Sequence, residues 1–167
     1  MSTIHELGRA LKTRRAEMGL TQAQVAALAG LSRQTINEVE TGAVPDLGLN
    51  KAERLASALG LALQVVDGRV TPPLRRRLTP LMRAAATASV SYRTPITAAR
   101  LKKILVTGTL SIAYEPHLHA LLDDAPVSLL AGVADQLHDE ARIERGEVWA
   151  SFRALARQVK SLRDIWQ

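Results

Sequence analysis

Arg33, Gln34, Asn37 and Glu38 lie close together in SRQTINEVE, interleaved with the apolar Ile36 and Val39. Their types carry the donors and acceptors that read the edges of bases. An arginine can donate twice to guanine, and glutamine or asparagine can pair bidentately with adenine. Glu38 can accept from a cytosine amino group or orient a neighbouring arginine. Thr35 offers a methyl to thymine or a hydroxyl to phosphate. Gln22, upstream, is placed to hold a phosphate with its side chain or with the N–H groups at the start of a helix. This chemistry works only if the polar residues sit near the N-terminal end of a helix whose underside is apolar, because that end enters the major groove.

The flanking sequence supplies such a helix. TQAQVAALAGLSRQTINEVETG, Thr21 to Gly42, reads as two short helices joined by a tight turn. Thr21 caps the first, Val25, Ala26 and Leu28 lie inward, and Gly30 makes the turn. Ser32 caps the second, Ile36 and Val39 face the core, and Gly42 ends it. Upstream, Ile4, Leu7, Ala10 and Leu11 recur at helical spacing until Gly19. Downstream of Ala43–Asp46, a further helix runs through Ala52, Leu55, Ala56 and Leu59 to Gly60. LALQVVDG then reads as a short strand ended by Asp67-Gly68, with Leu61, Leu63 and Val65 alternating with Ala62, Gln64 and Val66. A lone strand with two apolar faces needs cover, from its own domain or from a second copy of the chain.

LKTRRAEMGLTQAQVAALAGLSRQTINEVETG and the following AERLASALGLALQVV resemble the Cro/C1-type (XRE) helix-turn-helix family, and within it the HipB-like antitoxins, over about residues 4–67. The resemblance implies a lambda-repressor-like domain whose groove-facing residues are Arg33, Gln34 and Glu38, with Gln22 on phosphate. It also implies a structural salt bridge between Arg15 and Glu40. That fits elementary electrostatics, since an acid far from the groove-facing end would be repelled by phosphate. HipB-like proteins pair the strand with that of a second subunit. The resemblance therefore implies a homodimer on two-fold symmetric double-stranded operator DNA, with half-sites about one helical turn apart.

The overall fold class is mainly α: a helix-turn-helix domain over residues 1–68 ending in one short dimerising strand, a linker over 69–79, and an all-helical domain over 80–167. RVTPPLRRRLTP is the linker because adjacent prolines break helices and consecutive arginines repel. Helices are expected near 80–91, 97–107, 116–124, 127–141 and 147–165. His117, His119, Asp123 and Asp124 do not make a metal site by spacing, since histidines two apart point to different faces of a helix. Residues 115–147 hold eight acids against Arg142 and Arg145. They form either a solvated face or a surface that meets a basic partner or imitates nucleic acid. Val148, Phe152, Leu155, Val159, Leu162 and Trp166 form an apolar seam on the last helix. Phe152, Val159 and Trp166 are its candidate partner contacts, since an aromatic near a terminus often docks on a neighbour.

The formal net charge of +6 and pI of about 10.3 favour an anionic partner. With no cysteine, disulfides and thiolate metal sites are excluded. No apolar run is long enough for a signal peptide or a membrane span, so a cytoplasmic protein is expected. Walker, GxSxG and paired-cysteine motifs are missing, and neither an enzyme nor a cofactor is expected. The reading is a sequence-specific repressor. Its family resemblance implies an antitoxin that autoregulates its operon and neutralises a kinase or nucleotidyltransferase toxin through residues 80–167. The alternative is a one-component regulator whose helical domain senses a small molecule.

Overall fold

The computed structural model describes residues 3–64, 78–90 and 92–167. The N-terminal unit contains α1 (Thr3–Glu17), α2 (Gln22–Ala29), α3 (Arg33–Thr41) and α4 (Leu49–Ala58). Local chemistry sets the ends of α2 and α3. The Thr21 hydroxyl accepts from the Gln24 N–H while the Gln24 side chain accepts from the Thr21 N–H, a reciprocal box that satisfies two otherwise free donors. Gly30 closes α2 in the left-handed region (φ 63°), allowing the Leu31 N–H to reach back to Ala26. Ser32 then accepts from the Thr35 N–H at 3.1 Å and starts α3. Ile36 and Val39 are buried with Leu11, Met18, Val25, Leu55 and Leu59, fixing α3 by its underside.

The C-terminal unit contains α5 (Pro80–Ser89), α6 (Ala98–Thr107), α7 (Glu115–Asp124), α8 (Val127–Ala141) and α9 (Arg145–Gln158). Short 3₁₀ turns cover Ile112–Tyr114 and Asp164–Trp166. α9 is the central element, packing on α6, α7 and α8 through Trp149, Phe152 and Leu155, and reaching α1 across the boundary. The two units share one hydrophobic core, with α1, α2 and α4 docked on α9, the last turn and α8 respectively. At that boundary Asp135 accepts from Arg14 at 3.3 Å and from Arg145 at 2.6 Å, and the Gln24 amide donates to the Gln167 carbonyl at 2.7 Å. The Arg153 guanidinium packs on Gly19 and donates to the Met18 carbonyl.

Two expectations are corrected. No strand forms among the described residues. The Leu61 N–H folds back to Ala56 at 2.8 Å to finish α4, and Leu61 to Gln64 continue as irregular backbone. A strand is defined by its ladder partner, and Leu61 and Leu63 have none among the described residues. Val65 and positions 69–77 of the expected linker lie outside the described residues. The last helix also ends early, at Gln158 rather than near 165. Lys160 takes a left-handed conformation (φ 57°), the Ser161 hydroxyl donates to Asp123, and Arg163 donates to the Ala125 carbonyl at 2.6 Å. The reversal turns Leu162 out to 85% exposure and breaks the expected seam.

Candidate nucleic-acid interface

α3 rests on Ile36 and Val39, so its remaining sides are free to present polar groups. Arg33, Gln34 and Asn37 are exposed, and Thr35 and Glu38 are half-buried. The side-chain amide of Gln34 donates to Glu38 at 2.8 Å, one helical turn along. That bond leaves the Gln34 carbonyl oxygen free and gives the pair a defined starting geometry. The Thr35 and Ser32 hydroxyls are 2.9 Å apart, so Thr35 takes part in the cap that starts the helix.

Behind this surface a polar brace joins three helices. Arg15 donates from Nε to one oxygen of Glu40 at 2.6 Å and from Nη2 to the other at 2.8 Å, with Nη1 on the Leu20 carbonyl at 3.0 Å. Such a two-pronged pair fixes orientation as well as charge. The Glu40 side chain is only 3% exposed. Burial pushes its carboxyl up, but hydrogen bonds from Arg15 and Gln22 and the charges of Arg15 and Lys12 outweigh burial, leaving it below the usual carboxylate range. On Arg15 the Glu40 hydrogen bond outweighs desolvation and raises the guanidinium further.

Gln22 occupies a place that the sequence does not disclose. Its amide donates to Glu40 at 3.0 Å and to Asn37 at 3.4 Å, joining α2 to the brace. A phosphate contact from this side chain requires those bonds to be exchanged. Gly8 is another contributor not singled out by pattern: a Cβ there would lie 2.1 Å from the Val39 carbonyl oxygen, so α1 and α3 approach backbone to backbone. An isolated glycine within a helical pattern is the signal that could have indicated it.

Residues 6–68 match the family model described as Helix-turn-helix domain. This part of the chain is similar to helix-turn-helix domains. No curated protein and no solved structure matches the chain. Within the helix-turn-helix domain, α2 and α3 are the two helices of the motif and Gly30 to Ser32 its turn.

The other candidate residues lie apart from the helix-turn-helix motif. Phe152, Val159 and Trp166 are at most 5% exposed and are packed within their own chain, which corrects their expected role as presented partner contacts. Trp166 stacks near Trp149 and Phe152, and its Nε1 donates to the Leu122 carbonyl at 3.1 Å. His117 is buried with Nε2 on the Thr94 carbonyl at 2.8 Å, while His119 sits 3.2 Å from Asp123. No group of three or more potential metal ligands occurs among the described residues. Nor is any helix among them long and apolar enough to cross a membrane.

Proposed function

We propose that this chain is a sequence-specific repressor that reads double-stranded operator DNA through Arg33, Gln34, Asn37 and Glu38, with Thr35 and Gln22 supporting phosphate contacts. The observation that carries the reading is the exposure of Arg33, Gln34 and Asn37 on α3, whose opposite side is anchored in the core and braced by Arg15 and Glu40. Operator symmetry calls for a homodimer. Leu63, exposed in irregular backbone, is proposed with Leu61 and Val65 as the segment that meets a second copy. Sedimentation of the full chain with and without Leu63→Asp tests that contact: a dimer that becomes monomeric supports it, and an unaffected dimer removes it.

The repressor is further proposed to be the antitoxin of a toxin–antitoxin operon in the cytoplasm. It would neutralise a kinase or nucleotidyltransferase toxin through residues 80–167. Support comes from the HipB-like character of the N-terminal sequence and from a helical unit that the DNA-reading role does not require. Co-expression with the product of the adjacent gene tests the proposal. Co-purification and suppression of that product's toxicity are expected, and their absence ends the antitoxin reading.

One feature favours a second reading, a ligand-sensing regulator without enzymatic activity. A largely apolar groove of 800 Å³ lies between Leu7 of α1, α4, the 61–64 segment and the start of α8. That size falls in the range of small-molecule sites, and its place between the two units would couple occupancy to their docking. A change in operator affinity on adding a bound small molecule would favour this reading over the antitoxin.

A further inference from the structure

Between Asp67 and Glu115 the chain contains nine arginines and lysines and no aspartate or glutamate. The described part of that stretch builds α5, α6 and the loops beside them. Among the described residues, six of the nine exposed large hydrophobic side chains also fall between Leu78 and Ile112. Among the described residues, Arg83, Arg93, Arg100, Lys102 and Lys103 therefore share one stretch of the C-terminal unit with most of the uncovered apolar side chains.

They converge at one corner. Tyr92 stacks on the buried His117 at 4.4 Å, and Tyr114 packs edge-on against the same ring at 5.8 Å. Arg100 lies over Tyr114 at 5.7 Å. The Tyr92 hydroxyl donates to the Pro116 carbonyl at 3.2 Å, and His117 is itself held by Thr94, so the aromatic floor is fixed. Two residues from each tyrosine stand Val90, 83% exposed, and Ile112, 88% exposed. Arg93 and Arg100 flank them and make no ion pair among the described residues, whereas Lys102, farther along α6, is already paired with Glu140 at 2.7 Å.

We infer that this corner of Val90, Tyr92, Arg93, Arg100, Ile112 and Tyr114 is a docking surface for a protein partner that presents an apolar contact flanked by aspartates or glutamates. Rigid aromatic and arginine anchors are the side chains that carry most interface energy. Charge complementarity selects the acidic flank. Aliphatic side chains exposed to this degree offer nothing to a phosphate backbone, which favours protein over nucleic acid as the occupant. The inference rests on the proposed reading that the C-terminal unit binds a protein, and it places that contact on the loop after α5, the first turn of α6 and the Ile112–Tyr114 turn rather than on α7 and α8.

The probe is a pair of synthetic amphipathic helical peptides with the same leucine face, one flanked by glutamates and one by lysines. Each is titrated into isotope-labelled full chain and followed by amide shifts. The glutamate peptide is expected to shift Tyr92, Arg93, Arg100 and Ile112–Tyr114, and the lysine peptide to leave them in place. Arg93→Glu with Arg100→Glu should weaken the glutamate peptide at least about tenfold, as should Ile112→Asp, with melting unchanged because these groups are exposed. Shifts elsewhere, equal response to both peptides or no response would overturn the inference. So would the same amides responding to a non-operator DNA duplex instead of the peptide, or to self-association of the chain. If the adjacent gene product co-purifies equally well with all the variants, the surface is wrong. If it does not bind the wild-type chain at all, the antitoxin reading fails while the peptide result still decides the surface.

Discussion

Gln34 and Glu38 hold one another across one turn of α3, so the surface proposed to read bases is partly arranged in the free chain. Gln34→Ala removes a proposed base contact and should weaken specific binding by about 1–3 kcal/mol while relaxing preference at one base position. Competition binding against single-base operator variants measures this, and an equal loss on every sequence would make Gln34 a phosphate contact. The Arg15–Glu40 pair acts on stability instead. Arg15→Ala leaves a carboxylate that is 3% exposed without its main partner, an expected cost of about 2–4 kcal/mol. Because the Glu40 pKa is lowered on folding, its contribution is complete above the unfolded value near pH 4.3 and is lost as pH falls through the lower folded value. The melting gap between wild type and Glu40→Gln should therefore hold from about pH 7 to about pH 5 and close only as pH falls below the unfolded value and through the lowered folded one. A gap that persists at lower pH contradicts the assignment.

The crossing of α1 and α3 at Gly8 sets where that surface stands. Alanine normally stabilises a helix interior relative to glycine by about 1 kcal/mol. At Gly8 the added carbon meets a backbone carbonyl that cannot rotate away, so Gly8→Ala should lower the melting temperature, with a net cost of about 1–3 kcal/mol. A raised melting temperature would show that the helices do not approach this closely. The boundaries of α2 and α3 were legible because Thr21, Ser32, Gly30 and Gly42 act on backbone groups within a few residues. The end of α9 was not, because it depends on Lys160 entering a region that favours glycine and on Ser161 and Arg163 finding partners on α7 and just beyond it. The alternation over Leu61–Val66 read as a strand because pattern reports which faces are apolar, and a strand also needs a neighbour. The Arg15–Glu40 pair was legible only through family resemblance, and the place of Gln22 depends on the angle between α2 and α3, which no local pattern carries.

Across the described residues, the C-terminal unit docks on α1, α2 and α4 and leaves Arg33, Gln34 and Asn37 of α3 exposed. Arg153 is one of the pins. Burial, and then the nearby charge of Arg157, lower its pKa, and it donates to the Met18 carbonyl just past α1. Arg153→Ala should loosen the docking by about 1–2 kcal/mol. Hydrogen exchange should then speed up at Met18–Leu20, with operator affinity little changed if the units act separately. Unchanged exchange there would remove Arg153 as a pin. The most direct test of the central claim is selection of bound sequences from random DNA duplexes by the full chain and by an Arg33→Ala, Gln34→Ala double variant. The wild-type chain should enrich one short sequence, and the double variant should lose its preference at the bases those two side chains read. No enrichment, or the same preference in both proteins, would contradict the assignment of α3 as the reading helix.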